Sequence, residues 1–214
     1  MTARAAKAAH HWERSDDEWY VEPQDCTTAL LGAERFRGQI WDPCCGGGNI
    51  VRAAHAYGRM AFGTDIVNRG WDFDNVLWRG EQDFLATDPE HFPADCLIMN
   101  PPFGRGVLTE AFIRHALRGA TLAKLAVFVD VRFLNSSKRA NGLYSELPPD
   151  RVWIITPRPS CPPGAYLAAG NKAGGGTADF CWLVWDRTAP SCGTTLRWLR
   201  RPVSALTVEP GEAA

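Results

Sequence analysis

Long apolar runs are missing from this 214-residue chain. No stretch approaches the ~20 residues needed to span a bilayer, so no membrane is expected. The Ala-rich first eleven residues carry scattered basic side chains but no apolar core of a secretory signal. The expected setting is the cytoplasm. CxxC pairs are also absent among the seven cysteines. An odd count without paired spacing argues against a zinc site or a disulfide framework, and no metal is expected. Neither sign of charge dominates: 23 basic and 24 acidic residues leave a formal net charge of −1. Tight autonomous binding to duplex DNA normally needs a basic face, so any nucleic-acid surface must be local. Two phosphate-binding signatures are lacking as well, the GxxxxGK[ST] loop and the strict GxGxxG of dinucleotide folds.

What is present suits one globular domain. Hydrophobic residues make up 45% of the chain, with nine Trp and ten Phe to fill a core. We find no repeat and no linker. The expected organisation is a tail over 1–15, a single domain over 16–205 and a second tail over 206–214. Strands are expected over 39–42, 60–65, 96–99, 125–129, 152–155, 180–185 and 194–198, with a short one near 81–84. Helices are expected over 25–35 with Asp25 as N-cap, over 49–57 and over 107–118, the last amphipathic through Leu108, Phe112 and Ala116. Residues 66–83 read as an irregular loop, 135–149 as a loop or mobile helix, and 157–176 as a long Pro/Gly-rich loop. Strands alternating with helices indicate an α/β, Rossmann-like, doubly wound and mostly parallel sheet, with an antiparallel strand towards the C-terminal end.

Two segments carry chemistry. Strand, then Asp42-Pro43-Cys44-Cys45-Gly46-Gly47-Gly48, then helix makes a ligand loop in which glycine lets the backbone come close to a bound molecule. Asp65 ends the next strand about 18 residues on, where a carboxylate reaches both hydroxyls of a ribose. Asp42 at the front of the loop would repel a pyrophosphate and suits a cationic or zwitterionic ligand. Cys44 and Cys45 either pack beneath the loop or sense oxidation. The second segment is Asn100-Pro101-Pro102-Phe103, which follows the apolar run Cys96–Met99. Neither proline donates an N–H, and each ring fixes its own φ. The turn therefore presents an amide and carbonyl oxygens in a fixed array at a strand's carboxyl end, where open α/β sheets bind ligands. Phe103 adds a flat face for stacking.

Asn100 to Phe103 resembles the Asn-Pro-Pro-Phe motif of the S-adenosylmethionine-dependent N6-adenine methyltransferases. The resemblance spans residues 19–185, with the cofactor motif before the catalytic one, as in the gamma-like order. It implies the class I methyltransferase fold and S-adenosylmethionine as cofactor, with S-adenosylhomocysteine as product. It implies that Asn100 and the Pro101 carbonyl hold the target amine, with Pro102 shaping the turn and Phe103 stacking on the base. It places Asp42, Pro43, Cys44, Gly46, Gly48, Asp65, Ile66, Asp83, Phe84 and Asn100 around the cofactor. Asp83 would accept from the cofactor's adenine, or is a plain turn residue. Pro23 falls where the family has an aromatic-x-Thr-Pro segment, and here Glu22 stands in place of Thr.

Arg105, Lys138 and Arg139 are candidates for flanking phosphates, or are solvated surface charge. Little chain remains after Trp185 for a recognition domain. Recognition is expected from the loops 135–149 and 157–176, from a partner subunit, from a homo-oligomer, or from a compact substrate, as in a small phage-type DNA adenine methyltransferase. RNA adenine and protein glutamine amides are alternative substrates. A catalytically silent S-adenosylmethionine-binding subunit is an alternative of a different class.

Overall fold

The computed structural model describes residues 18–70, 77–189 and 192–202. The tails expected over 1–15 and 206–214, and residues 71–76 of the loop expected over 66–83, lie outside these. Chain order is α1 (Gln24–Ala33), β1 (Ile40–Asp42), α2 (Asn49–Ala56), β2 (Ala61–Asp65), β3 (Trp78–Glu81), β4 (Cys96–Met99), α3 (Val107–Ala116), β5 (Lys124–Asp130), α4 (Ser137–Asn141), α5 (Leu143–Glu146), β6 (Arg151–Thr156), α6 (Gly164–Ala168), β7 (Phe180–Asp186) and β8 (Thr195–Arg200). Among the described residues the strands form one sheet, ordered β3-β2-β1-β4-β5-β7-β6-β8. β7 runs antiparallel to both its neighbours, β5 and β6, and the remaining pairs are parallel.

Strict alternation along the central strands explains why both faces of the sheet are covered. Ile40, Cys96, Ile98, Ala126, Phe128, Trp182 and Val184 pack on one side with α1 and α2. Trp41, Leu97, Met99, Leu125, Val127, Cys181 and Leu183 pack on the other with α3 and α5. Successive side chains point to opposite faces, so two cores grow from one set of strands. Trp41 is fully buried, and its indole N–H donates to Thr64 Oγ1 at 3.0 Å, so the large ring leaves no polar atom unpaired.

Three expectations need correction. The third strand is Trp78–Glu81 rather than 81–84, because Asp83 caps a 3-10 turn at Phe84–Ala86 by accepting from Leu85 N at 3.0 Å. Helix α1 begins at Gln24 behind Pro23, so Asp25 lies in the first turn and binds Arg201 instead of capping. The 157–176 stretch, expected as a loop, contains the short helix α6. Of the alternatives open for 135–149, helix is the one observed, as α4 and α5. Among the described residues no helix is long and apolar enough to cross a membrane.

Candidate active site

Parallel pairing of β1 with both β2 and β4 brings three strand ends, and the loops after them, to one edge of the sheet. There a cleft of about 290 Å³ is lined by Pro43–Gly47, Asp65, Ile66, Asp83, Phe84, Asn100 and Pro102, and walled by the strap formed by residues 18–22. The glycine turn and the proline turn thus open into the same space.

The glycine loop is held from below. Cys45 N donates to Thr64 O at 3.0 Å, and Gly46 N donates to Asp65 Oδ2 at 2.7 Å. Gly46 has φ +51°, and a Cβ there would meet Trp19 Nε1 at 2.5 Å, so both conformation and space demand glycine. Cys45 packs under the loop against Gly63. Asp65 Oδ1 accepts from Val67 N at 3.0 Å. Each carboxylate oxygen keeps a lone pair, so the anchored carboxylate can still accept hydroxyl groups from the cleft.

Asn100 is the most constrained side chain in the proline turn. Its Nδ2 donates to Tyr20 O at 2.9 Å and to Glu22 Oε2 at 2.7 Å. Both amide hydrogens are taken by the strap, and Oδ1 has no donor among the described residues. Thr109 Oγ1 donates to Pro102 O at 3.0 Å, and Gly104 N donates to the Glu18 carboxylate. Arg105, with φ 55°, sits in the left-handed region between Gly104 and Gly106, so the turn closes sharply onto α3.

Two buried carboxyls stand beside this centre. Glu22 is 6% exposed, and burial pushes its carboxyl up to about 7 against the hydrogen bonds from its own backbone and Asn100. Asp42 is 1% exposed, and burial, together with the nearby Glu22 and Asp65 carboxyls, holds it well above the usual carboxylate range. Among the described residues no group of three or more His, Cys, Asp and Glu is arranged to hold a metal ion.

The expected residues divide by position. Pro43, Cys44, Gly46, Asp65, Ile66, Asp83, Phe84, Asn100 and Pro102 line the cleft. Asp42, Gly48, Pro23 and Pro101 do not line it. Phe103 is half-buried with its ring 6.1 Å from Tyr20, and it too lies outside the lining. Arg105 and Lys138 are exposed beyond the cleft. Arg139 folds back, its guanidinium carbon 4.1 Å from the Phe133 ring centre and its Nε donating to Phe133 O at 2.7 Å. The expectations passed over Trp19, Arg69, Leu108 and Phe112, which also line the cleft; the Arg69 guanidinium lies 4.4 Å from the Trp19 ring centre. The aromatic pair Trp19-Tyr20 just ahead of Glu22 and Pro23 was the available signal.

No protein-family model matches the chain, and no curated protein matches it. Solved structures do match. One, described as the modification subunit of a type I restriction enzyme from Vibrio vulnificus YJ016, has a TM-score of 0.58 at 14% identity over 92% of this chain. This chain spans about half of that one, 49% of its length. Another, described as an RNA methyltransferase from Pyrococcus horikoshii, has a TM-score of 0.53 at 13% identity, covering 83% of this chain and 93% of that one. The chain has the class I methyltransferase fold. The expected α/β class is therefore observed, including the antiparallel strand, which is β7.

Proposed function

We propose that the protein transfers a methyl group from S-adenosylmethionine to the N6 amino group of adenine in DNA. The observation that carries this reading is the shared cleft, lined both by the Asp65-anchored glycine loop and by Asn100, whose amide oxygen has no donor among the described residues. The residues present suit the cofactor. Asp65 has lone pairs for the ribose, Asp83 on the cleft lining would accept from the adenine amine, and Ile66, 65% exposed, offers an apolar surface to a ring. The positive charge of a bound cofactor would in turn favour the ionised forms of the buried Glu22 and Asp42 carboxyls. When bound, S-adenosylmethionine supplies an electrophilic methyl on a sulfonium.

The chain's own part is alignment. An adenine amine is a poor nucleophile because its lone pair is delocalised into the ring. Asn100 Oδ1 accepts one of its hydrogens and favours a tetrahedral nitrogen; the resembled motif gives the other hydrogen to the Pro101 carbonyl, although Pro101 does not line the cleft. Positioning supplies most of the acceleration, and fixed dipoles stabilise the developing charge. A duplex base must first be extruded at a cost of a few kcal/mol. Stacking on the exposed part of Phe103 offsets about 1–3 kcal/mol of it. The two fold relatives, described as a modification subunit and an RNA methyltransferase, are compatible with a nucleic-acid substrate.

A second reading, methylation of a protein glutamine amide, draws on the near-zero net charge and on the placement of Phe103 outside the cleft. Incubation with methyl-labelled cofactor, followed by separation of DNA, RNA and protein, distinguishes them. Label in DNA as N6-methyladenine, lost in Asn100→Ala, is the expected result. Label confined to RNA or to protein glutamine overturns the DNA assignment. Cofactor binding without transfer to any pool identifies a silent binding subunit.

A further inference from the structure

We infer that Glu22 is the positioning residue for Asn100: its carboxylate and the Tyr20 carbonyl take both amide hydrogens, leaving the amide oxygen as the group Asn100 offers the cleft. The inference rests on the methyl-transfer reading above. A planar amide whose two N–H groups point into the strap must point its C=O away from it. A flipped amide would set Oδ1 against two acceptors at the distances now occupied by donors, 2.9 Å and 2.7 Å.

The strap is held firmly enough to do this. Glu22 O accepts from Asn49 Nδ2 at 2.7 Å, on the first residue of α2. Val21 N donates to Pro162 O at 2.9 Å, and Gly164 N donates to Trp19 O at 2.8 Å. Glycine loop, proline turn and the 162–164 loop are therefore registered to one another through residues 19–22. The family segment that Tyr20–Pro23 resembles has Thr at position 22. Threonine is shorter than glutamate, and its hydroxyl carries no charge.

The groups facing the Glu22 carboxyl are Asp42 at the end of β1, Cys26 on α1, Cys44 and Cys45 in the glycine loop, and Cys161. None is a cation, and burial, the dominant cause, brings the side chain's change of charge to near neutrality. Ionised, it is an acceptor only and enforces the productive amide orientation. Protonated, it can instead donate to Oδ1 and occupy the oxygen that the substrate amine needs.

Two substitutions and two readouts test this. Glu22→Gln keeps an acceptor, together with an N–H donor, at every pH and cannot ionise; Glu22→Leu has neither. In wild-type protein kcat should rise with pH through about 7, and that limb should vanish in Glu22→Gln. In Glu22→Leu kcat should fall about 10- to 100-fold, comparable to the loss of one oriented dipole, with cofactor Kd little changed. Independently of turnover, the Asn100 side-chain amide NMR signals of the cofactor-free protein, assigned by their loss in Asn100→Ala, should titrate near pH 7 in wild type only. Thermal melts identify variants that fail to fold, in which case Glu22→Gln decides. Amide signals that ignore pH, or a folded Glu22→Leu with wild-type kcat, overturn the inference. Absence of methyl transfer by the wild type sinks the methyl-transfer reading instead, and the NMR titration then decides the Glu22–Asn100 coupling alone.

Discussion

At the scale of single residues, the cleft is built from side chains that hold backbone before they hold any ligand. Asp65 is the clearest case. Its two oxygens accept from Gly46 N and Val67 N, so truncation leaves two N–H groups without their partner. Asp65→Ala is expected to lower stability by about 1–3 kcal/mol, in addition to weakening S-adenosylmethionine binding. Chemical denaturation reads the first effect and calorimetric titration of folded protein the second. Unchanged cofactor affinity would reject the ribose role, and unchanged stability would reject the anchoring role. Asp65 was legible because a strand-ending acid after a glycine loop has few other uses, and Asn100 because two prolines force a rigid turn. Glu22 was visible only as a departure from a resembled motif. Its meaning depends on a contact between residues 78 positions apart, which no local spacing reveals.

At the scale of elements, a buried cluster of charges locks the sheet to α1. Glu34, just past α1, accepts from Lys124 of β5 at 2.9 Å, from Arg151 Nη2 of β6 at 2.9 Å and from the Trp153 indole at 2.9 Å. Asp186 of β7 closes the cluster, with Lys124 and Arg151 each at 2.8 Å. Burial pushes both carboxyls up, but these donors outweigh it: Glu34 lies below its ordinary value and Asp186 far below. A carboxyl whose folded pKa is depressed contributes stability above its unfolded pKa, about 4, and loses it as pH falls through the folded value. Urea melts should therefore show stability declining from about pH 4 downward, with a shallower decline in Asp186→Asn. At neutral pH, Glu34→Ala leaves Lys124 and Arg151 sharing one acid and should cost about 3–5 kcal/mol. A loss below about 1 kcal/mol would show the cluster to be solvated. The strands of this region were legible in the sequence and the cluster was not, because Lys124 and Arg151 fall just outside the strands expected over 125–129 and 152–155, and only the insertion of β7 between β5 and β6 brings them together.

At the scale of the whole molecule, the near balance of charge constrains how a polyanion can be met. The composition made this legible without any fold. The structure sharpens it, because Arg139 is committed to Phe133 and only Arg105 and Lys138 of the three expected contacts stay exposed. Two phosphate contacts release few counterions, so log K against log salt should slope at about −2. Affinity for random duplex DNA should fall only about tenfold between roughly 50 and 200 mM salt. Fluorescence anisotropy across that range measures the slope directly. Arg105→Ala and Lys138→Ala should each flatten it by about one unit, whereas Arg139→Ala should leave it unchanged and lower stability instead. A slope steeper than about −5 would require a basic face that these residues do not form, and would move recognition away from the proline turn. Should the slope be that shallow, discrimination among substrates would fall to the cleft itself, where the contact proposed for the Asn100 amide oxygen would select for an amine.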